Sequence, residues 1–245
     1  MSTKHLASGL SVAFALAFAP AAVAQKPKPA PPTPVTPPTQ PKPPAPPQQP
    51  KPFAITLDAK PSTIVFSGVT TLSGRLSGSG KTGGVAVRLF EDTTRPYGDS
   101  FKPSKLAATA NNGNYSFAVK PLRNTSYRVV AATAPPVAST PKFVLVRIKV
   151  GIKVSDITPR RGSLVRFSGS VFPAHDGRRV TIQRRSRSGR FITVVRTRLR
   201  DAGTTKSTYS RRVRLFSDGV YRVKVSGDGD HANGFSRLKT IDVHR

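Results

Sequence analysis

Few residues in this chain could carry out chemistry, and they are thinly spread. Glu91 is the only glutamate, cysteine and tryptophan are absent, and the four histidines are His5, His175, His231 and His244. Disulfide scaffolds, thiolate zinc sites, cysteine nucleophiles and thiol redox chemistry are therefore excluded. His175 stands beside Asp176 in the turn-forming segment 173–177, but an adjacent pair in sequence is not a triad, and no catalytic constellation is expected. Asp228-Gly229-Asp230 could open a calcium loop. The further oxygen ligands of an EF-type loop do not follow, so the run reads as a turn. Tyr115, Tyr127, Tyr209 and Tyr221 read as core and corner residues, because a sugar-stacking face is hard to build without tryptophan. The expectation is no catalytic residue, no cofactor and no metal-ligating set.

Charge is the property that stands out. The chain has 40 Lys+Arg against 11 Asp+Glu over 245 residues, a formal charge of +29. Residues 53–150 hold 13 cationic and 4 anionic side chains, and residues 151–245 hold 22 and 7, with 18 of those 22 being Arg. Alternation along strands sorts these cations onto outward faces. Arg196, Arg198 and Arg200 are expected on one face of one strand, Arg212 and Arg214 on one face of another, and Arg222 and Lys224 opposite Tyr221, Val223 and Val225. Together with Arg185 they form a candidate surface for anionic polymers: teichoic acids, acidic polysaccharide, lipid headgroups or nucleic acid. Soluble outer faces that happen to use Arg explain the same pattern. A dedicated nucleic-acid target is not expected, since no recognised nucleic-acid motif is present.

The first 24 residues read as an address. Lys4 and His5 precede an apolar run from Leu6 to Ala19, followed by Pro20 and the small-residue pattern Ala22-Val23-Ala24, the layout of a secretory signal peptide whose cleavage leaves Gln25 at the N-terminus. The run is shorter than the roughly 20 residues needed to cross a bilayer. The expectation is therefore a secreted or envelope-associated chain with no transmembrane span in its mature form. From Lys26 to Pro52, 14 of 27 residues are Pro. Such a segment cannot offset its ordering entropy by burial, so residues 25–52 are expected to be a disordered, extended stalk or linker.

These segments precede a chain that repeats itself. Thr71-Leu72-Ser73-Gly74-Arg75-Leu76 matches Arg166-Phe167-Ser168-Gly169-Ser170-Val171, Tyr115-Ser116 matches Tyr209-Ser210, and Tyr127-Arg128-Val129 matches Tyr221-Arg222-Val223, at offsets of 94 or 95 residues. A period this long means tandem domains, placed at 53–150 and 151–245. Within each copy, apolar and polar residues alternate over short runs separated by turn dipeptides such as Asn112-Gly113, Ser188-Gly189 and Asp218-Gly219. No window has a helical period, and the fold class expected is all-β, two antiparallel sandwiches. Val144, Val146, Ile148, Val150, Ile152 and Val154 alternate without a break across the junction, so the last strand of one copy is expected to run almost directly into the first of the next.

The Ser-Gly landmark in the second strand, the Tyr-Ser strand and Asp218-Gly219-Val220-Tyr221-Arg222-Val223 together resemble the tandem immunoglobulin-like repeats of secreted bacterial proteins. The resemblance covers residues 53–245. It implies a corner tyrosine at Tyr127 and Tyr221 that hydrogen-bonds back across the corner. It also places Leu72 with Val129, and Phe167 with Val223, where antibody domains have their cystine. Function is expected to be non-enzymatic: a structural or adhesive module of the cell envelope, or alternatively an extracellular polyanion-binding protein acting through the basic face of the second copy.

Overall fold

The computed structural model describes residues 49–245, and the leader and most of the Pro-rich segment lie outside the described residues. The described residues form strands and turns with no helix, as the short alternating runs require. In the first copy, Thr70–Ser77 pairs with Ala54–Ile55 and Asp58–Lys60 on one side and Asn114–Val119 on the other. The facing sheet runs Lys102–Ala108, Ala86–Asp92, Thr125–Ala131, then Lys142–Val150, with Thr63–Val65 parallel to that last strand. The second copy repeats the plan. Leu164–Phe172 pairs with Ser207–Arg214, while Phe191–Arg198, Arg179–Arg185 and Gly219–Val225 make the opposite layer. This is a pair of Ig-like antiparallel β-sandwiches.

Each sandwich closes on its own apolar core. Leu72 and Val129 are fully buried in the first, Phe167 and Val223 in the second. Close-packed aliphatic and aromatic side chains thus occupy the cystine positions, and burying each contributes on the order of 1.5–3 kcal/mol.

The repeated landmarks have a shared physical cause. Gly74 lies directly opposite Tyr115, and Gly169 directly opposite Tyr209. A Cβ on Gly74 would overlap the Thr56 carbonyl and the Tyr115 hydroxyl, and one on Gly169 would overlap the Gly151 carbonyl and the Tyr209 ring. Glycine leaves room for the ring to lie across the strand, a pairing also used to protect strand glycines. The Tyr115 hydroxyl donates to the Thr56 carbonyl and the Tyr209 hydroxyl to the Gly151 carbonyl, tying the first strand of each copy to its sheet. Burial pushes both hydroxyls to higher pKa. The long-range tyrosine bonds are thus made by Tyr115 and Tyr209 rather than at the corner. Tyr127 and Tyr221 are buried core residues, and Tyr221 sets its hydroxyl beside Arg184. A second duplicated device fixes the last strands: Ser139 Oγ accepts from Val129 N–H at 3.0 Å, and Ser236 Oγ from Val223 N–H at 2.9 Å.

Lys142–Val150 belongs to both sandwiches. Lys142, Phe143 and Val144 pair with Tyr127, Ser126 and Thr125, and Leu145–Arg147 pair with Thr63–Val65. Lys149 and Val150 then pair with Phe172 and Val171, and the same stretch lies parallel to Ala232–Phe235. Alternation puts Val144 and Val146 in the first core and Ile148 and Val150 in the second, all of them buried. The change of core falls at Arg147. A fragment beginning at Arg147 should therefore fold into a more stable second sandwich than one beginning at Gly151, by about 1.5–3 kcal/mol for each of Ile148 and Val150. Denaturant midpoints of the two fragments check this, and equal midpoints would show that the shared strand adds nothing to the second core.

Candidate functional site

The described residues with the densest convergence of polar groups lie where the sandwiches meet. At the end of strand Gly219–Val225 the chain makes a tight turn, in which the Asp228 carboxylate accepts the N–H groups of Asp230 and His231 at 2.8 and 2.7 Å. Asp and Gly favour such turns because the short side chain substitutes for a backbone acceptor. The turn docks on the first copy. Asn124 N–H donates to the Asp230 carbonyl at 2.7 Å, and its side-chain amide donates to the Gly229 carbonyl at 3.1 Å. The same side chain accepts Val146 N–H at 2.9 Å, so Asn124 joins the turn to the shared strand. Tyr97 donates to the Gly229 carbonyl at 3.0 Å. Arg95 and Arg123 approach the Asp230 carboxylate at 3.4 and 3.3 Å. Both arginines are more than half exposed, so these ion pairs contribute little beside the hydrogen bonds of Asn124.

A carboxylate organises the loop that presents Arg95 and Tyr97. Asp92 is 1% exposed and accepts N–H groups from Thr94, Gly98, Asp99 and Ser100. Burial acts to raise its pKa, but the four donors outweigh that and hold it below the ordinary 3.8.

Beneath the docking turn lies a cluster assembled from distant residues. His175 Nε2 faces one oxygen of Asp228 at 3.2 Å, and His231 Nδ1 faces the other at 3.4 Å. The two rings meet edge to face with centroids 4.8 Å apart. Their other nitrogens are 2.9 Å from backbone carbonyls, His175 Nδ1 from Pro173 and His231 Nε2 from Leu122 of the first copy. A carbonyl only accepts, so those nitrogens carry hydrogens, and it is Nε2 of His175 and Nδ1 of His231 that face the carboxylate, as lone pairs when the rings are neutral. Both are buried and make no hydrogen bond. All three ligand-type atoms lie within 4.8 Å of one another. Asp228 is held below its ordinary pKa, because backbone donors and the two rings outweigh its burial. Asp176, the sequence neighbour of His175, turns away to accept from the Ser207 hydroxyl at 2.5 Å. Ser207 in turn accepts His175 N–H at 2.7 Å.

The expected basic surface is distributed differently. Arg185, Arg196, Arg198, Arg222 and Lys224 lie in one layer, where Thr181 sits between Arg196 and Lys224 and Arg179 opposes Arg198. Arg200 leaves the row. Leu199 turns into the core at 3% exposure, the strand ends at Arg198, and Arg200 pairs with Thr208 in the other layer. Arg212 and Arg214 also belong to that other layer, opposite Arg166 and Leu164. Several of these cations have intramolecular partners. Arg222 lies 3.7 Å from the Phe191 ring and 4.5 Å from that of Phe235, and its Nε donates to Gln183 at 2.9 Å. Burial lowers its pKa. Arg128, its counterpart in the first copy, lies 4.5 Å from the Phe101 ring. Arg198 and Arg214 donate to the Gly177 and Gly162 carbonyls. The sequence patterns gave no role to Tyr97, Asn124, Asp230 or His231, whose partners lie about a hundred residues away or more.

Among known proteins, no family model and no curated protein matches the chain. Solved structures do match. A tetra-tandem repeat from the extending region of a large adhesion protein aligns over 78% of this chain and 49% of its own, at 14% identity and a TM-score of 0.33. A Salmonella alpha-2-macroglobulin variant aligns over 78% and 16%, at 12% identity and a TM-score of 0.34. The chain thus spans half or less of each of these proteins.

The junction should loosen in acid. Since the folded Asp92 carboxyl sits below 3.8, its stabilising contribution is complete above the unfolded value and is lost as pH falls through the folded one. Amide exchange at Gly98 and Ser100 should therefore be slow above about pH 4 and accelerate below it, and Asp92→Asn should remove that pH dependence. Unchanged protection down to pH 2 would overturn the assignment.

Proposed function

We propose that this chain is a secreted, non-enzymatic structural and adhesive module of the cell envelope, in which the Pro-rich segment holds a stiff pair of sandwiches away from the surface. The observation that carries this reading is the single strand Lys142–Val150 that serves both cores. A flexible linker would let the copies swing independently, whereas a shared strand and a docked turn transmit force and orientation from one copy to the next. Export is supported by the Ala22-Val23-Ala24 pattern after the apolar leader. The absence of cysteine fits a fold closed by apolar packing and tyrosine hydrogen bonds.

Surface attachment by producing cells tests the proposal. Cells lacking the chain should attach less, and the wild-type chain should restore attachment. The double variant Asn124→Ala, Asp230→Ala should restore it only in part, because it keeps the shared strand but weakens the docked turn beside it. Attachment independent of the chain, or turnover of an envelope polymer by the purified protein, would contradict the reading.

A further inference from the structure

We propose that His175, Asp228 and His231 form a binding site for one divalent transition metal ion of the zinc class, which braces the turn docked on the first copy. The inference goes beyond the structural role above and does not depend on it. Three features of the site point to a cation.

Both histidines are pre-oriented as ligands. Their side chains are 4% and 9% exposed, each donates one ring N–H to a backbone carbonyl at 2.9 Å, and each has its remaining nitrogen 3.2 or 3.4 Å from an Asp228 oxygen. Outer-shell bonds of this kind, which fix tautomer and ring angle, accompany metal-ligating histidines.

The two ligand nitrogens are also left without partners. Both are buried without a hydrogen-bond partner; a neutral ring leaves there an acceptor facing a carboxylate that offers no hydrogen in its ionised form, and such an orphan costs about 1–3 kcal/mol. A cation bound by all three groups resolves the conflict at every one of them.

The spacing is close to what an ion needs. Ligand atoms of a tetrahedral zinc ion are about 3.3–3.4 Å from one another; the two nitrogens lie 3.2 and 3.4 Å from opposite oxygens of Asp228, and the three ligand atoms lie within 4.8 Å of one another, so binding draws the side chains closer together. Two imidazoles and a carboxylate suit zinc, cobalt(II), nickel(II) or copper(II) better than calcium, which takes six or more oxygens. The Asp228 side chain is 25% exposed, which leaves the fourth coordination position open to water.

All three ligands belong to the second copy, yet the consequence crosses the junction. A metal on His231 Nδ1 draws electron density from the ring and strengthens its Nε2–H bond to the Leu122 carbonyl. It also locks the turn whose Gly229 and Asp230 hold Asn124, Tyr97, Arg95 and Arg123.

The test uses untagged protein stripped with a chelator and titrated with zinc chloride in a calorimeter, then with cobalt(II) while visible absorption is recorded. One equivalent of zinc should bind, raise the unfolding temperature and slow exchange of the Asn124 amide. Cobalt(II) should give the intense visible bands of a four-coordinate site, and zinc should abolish them. His175→Ala and His231→Ala should each weaken binding by more than the about 10- to 100-fold that losing an outer-shell partner costs. Asp228→Asn keeps an oxygen for the turn N–H groups, so it should remain folded by circular dichroism while also losing affinity. Ser207→Ala, which removes the support of the His175 backbone and the partner of Asp176 but no ligand, should keep one equivalent at reduced affinity. No binding of zinc or cobalt to folded wild-type protein, or binding undiminished in His175→Ala and His231→Ala, would overturn the proposal.

Discussion

The architecture depends on alternation along one strand. In Lys142–Val150 the inward side chains are Val144, Val146, Ile148 and Val150, and the core they enter changes between the second and the third. Neither sandwich can shed this strand without exposing apolar residues, and its backbone is paired on both sides of Arg147, with a register shift in the parallel pairing between Arg147 and Lys149. One stretch of β-structure is thus both the closing strand of one core and the opening strand of the other. The docked turn at Asp228–His231 adds a second tie beside it, and Asn124 joins the two by bonding to both.

Each copy is stapled by a motif that replaces a disulfide. A glycine opposite a tyrosine lets the ring cross the strand and anchor the first strand through its hydroxyl, in Gly74, Tyr115 and Thr56 and again in Gly169, Tyr209 and Gly151. Buried hydrogen bonds of this sort are worth modest amounts individually, but leaving the carbonyl unpaired costs about 1–3 kcal/mol. The same logic governs the junction, where the buried Val146 N–H donates to the Asn124 side chain. Cations also serve packing: Arg222 and Arg128 lie over phenylalanine rings in corresponding places.

The all-β class, the repeat and the through-running strand were legible in the sequence because alternation and offset are local patterns. The row Arg196, Arg198 and Arg200 was extended one residue too far, because nothing local marks Leu199 as the point where the chain leaves one layer for the other. Tyr115 and Tyr209 were placed in the core, but their anchoring bonds reach 59 and 58 residues back along the chain and left no local trace. His175 and Asp228 read as ordinary turn residues for the same reason. Their meeting with His231 is set by how two loops of the second copy fold over its core, and Asp176, the partner that adjacency suggested, is taken by Ser207.

The claim that the two copies behave as one unit is tested most directly by amide exchange at the Val129 and Val223 N–H groups, buried in different cores and held by equivalent serines. As denaturant rises, both amides should converge on the same opening free energy, because unfolding either copy strips the shared strand from the other. Distinct opening free energies in the wild-type protein would contradict the account.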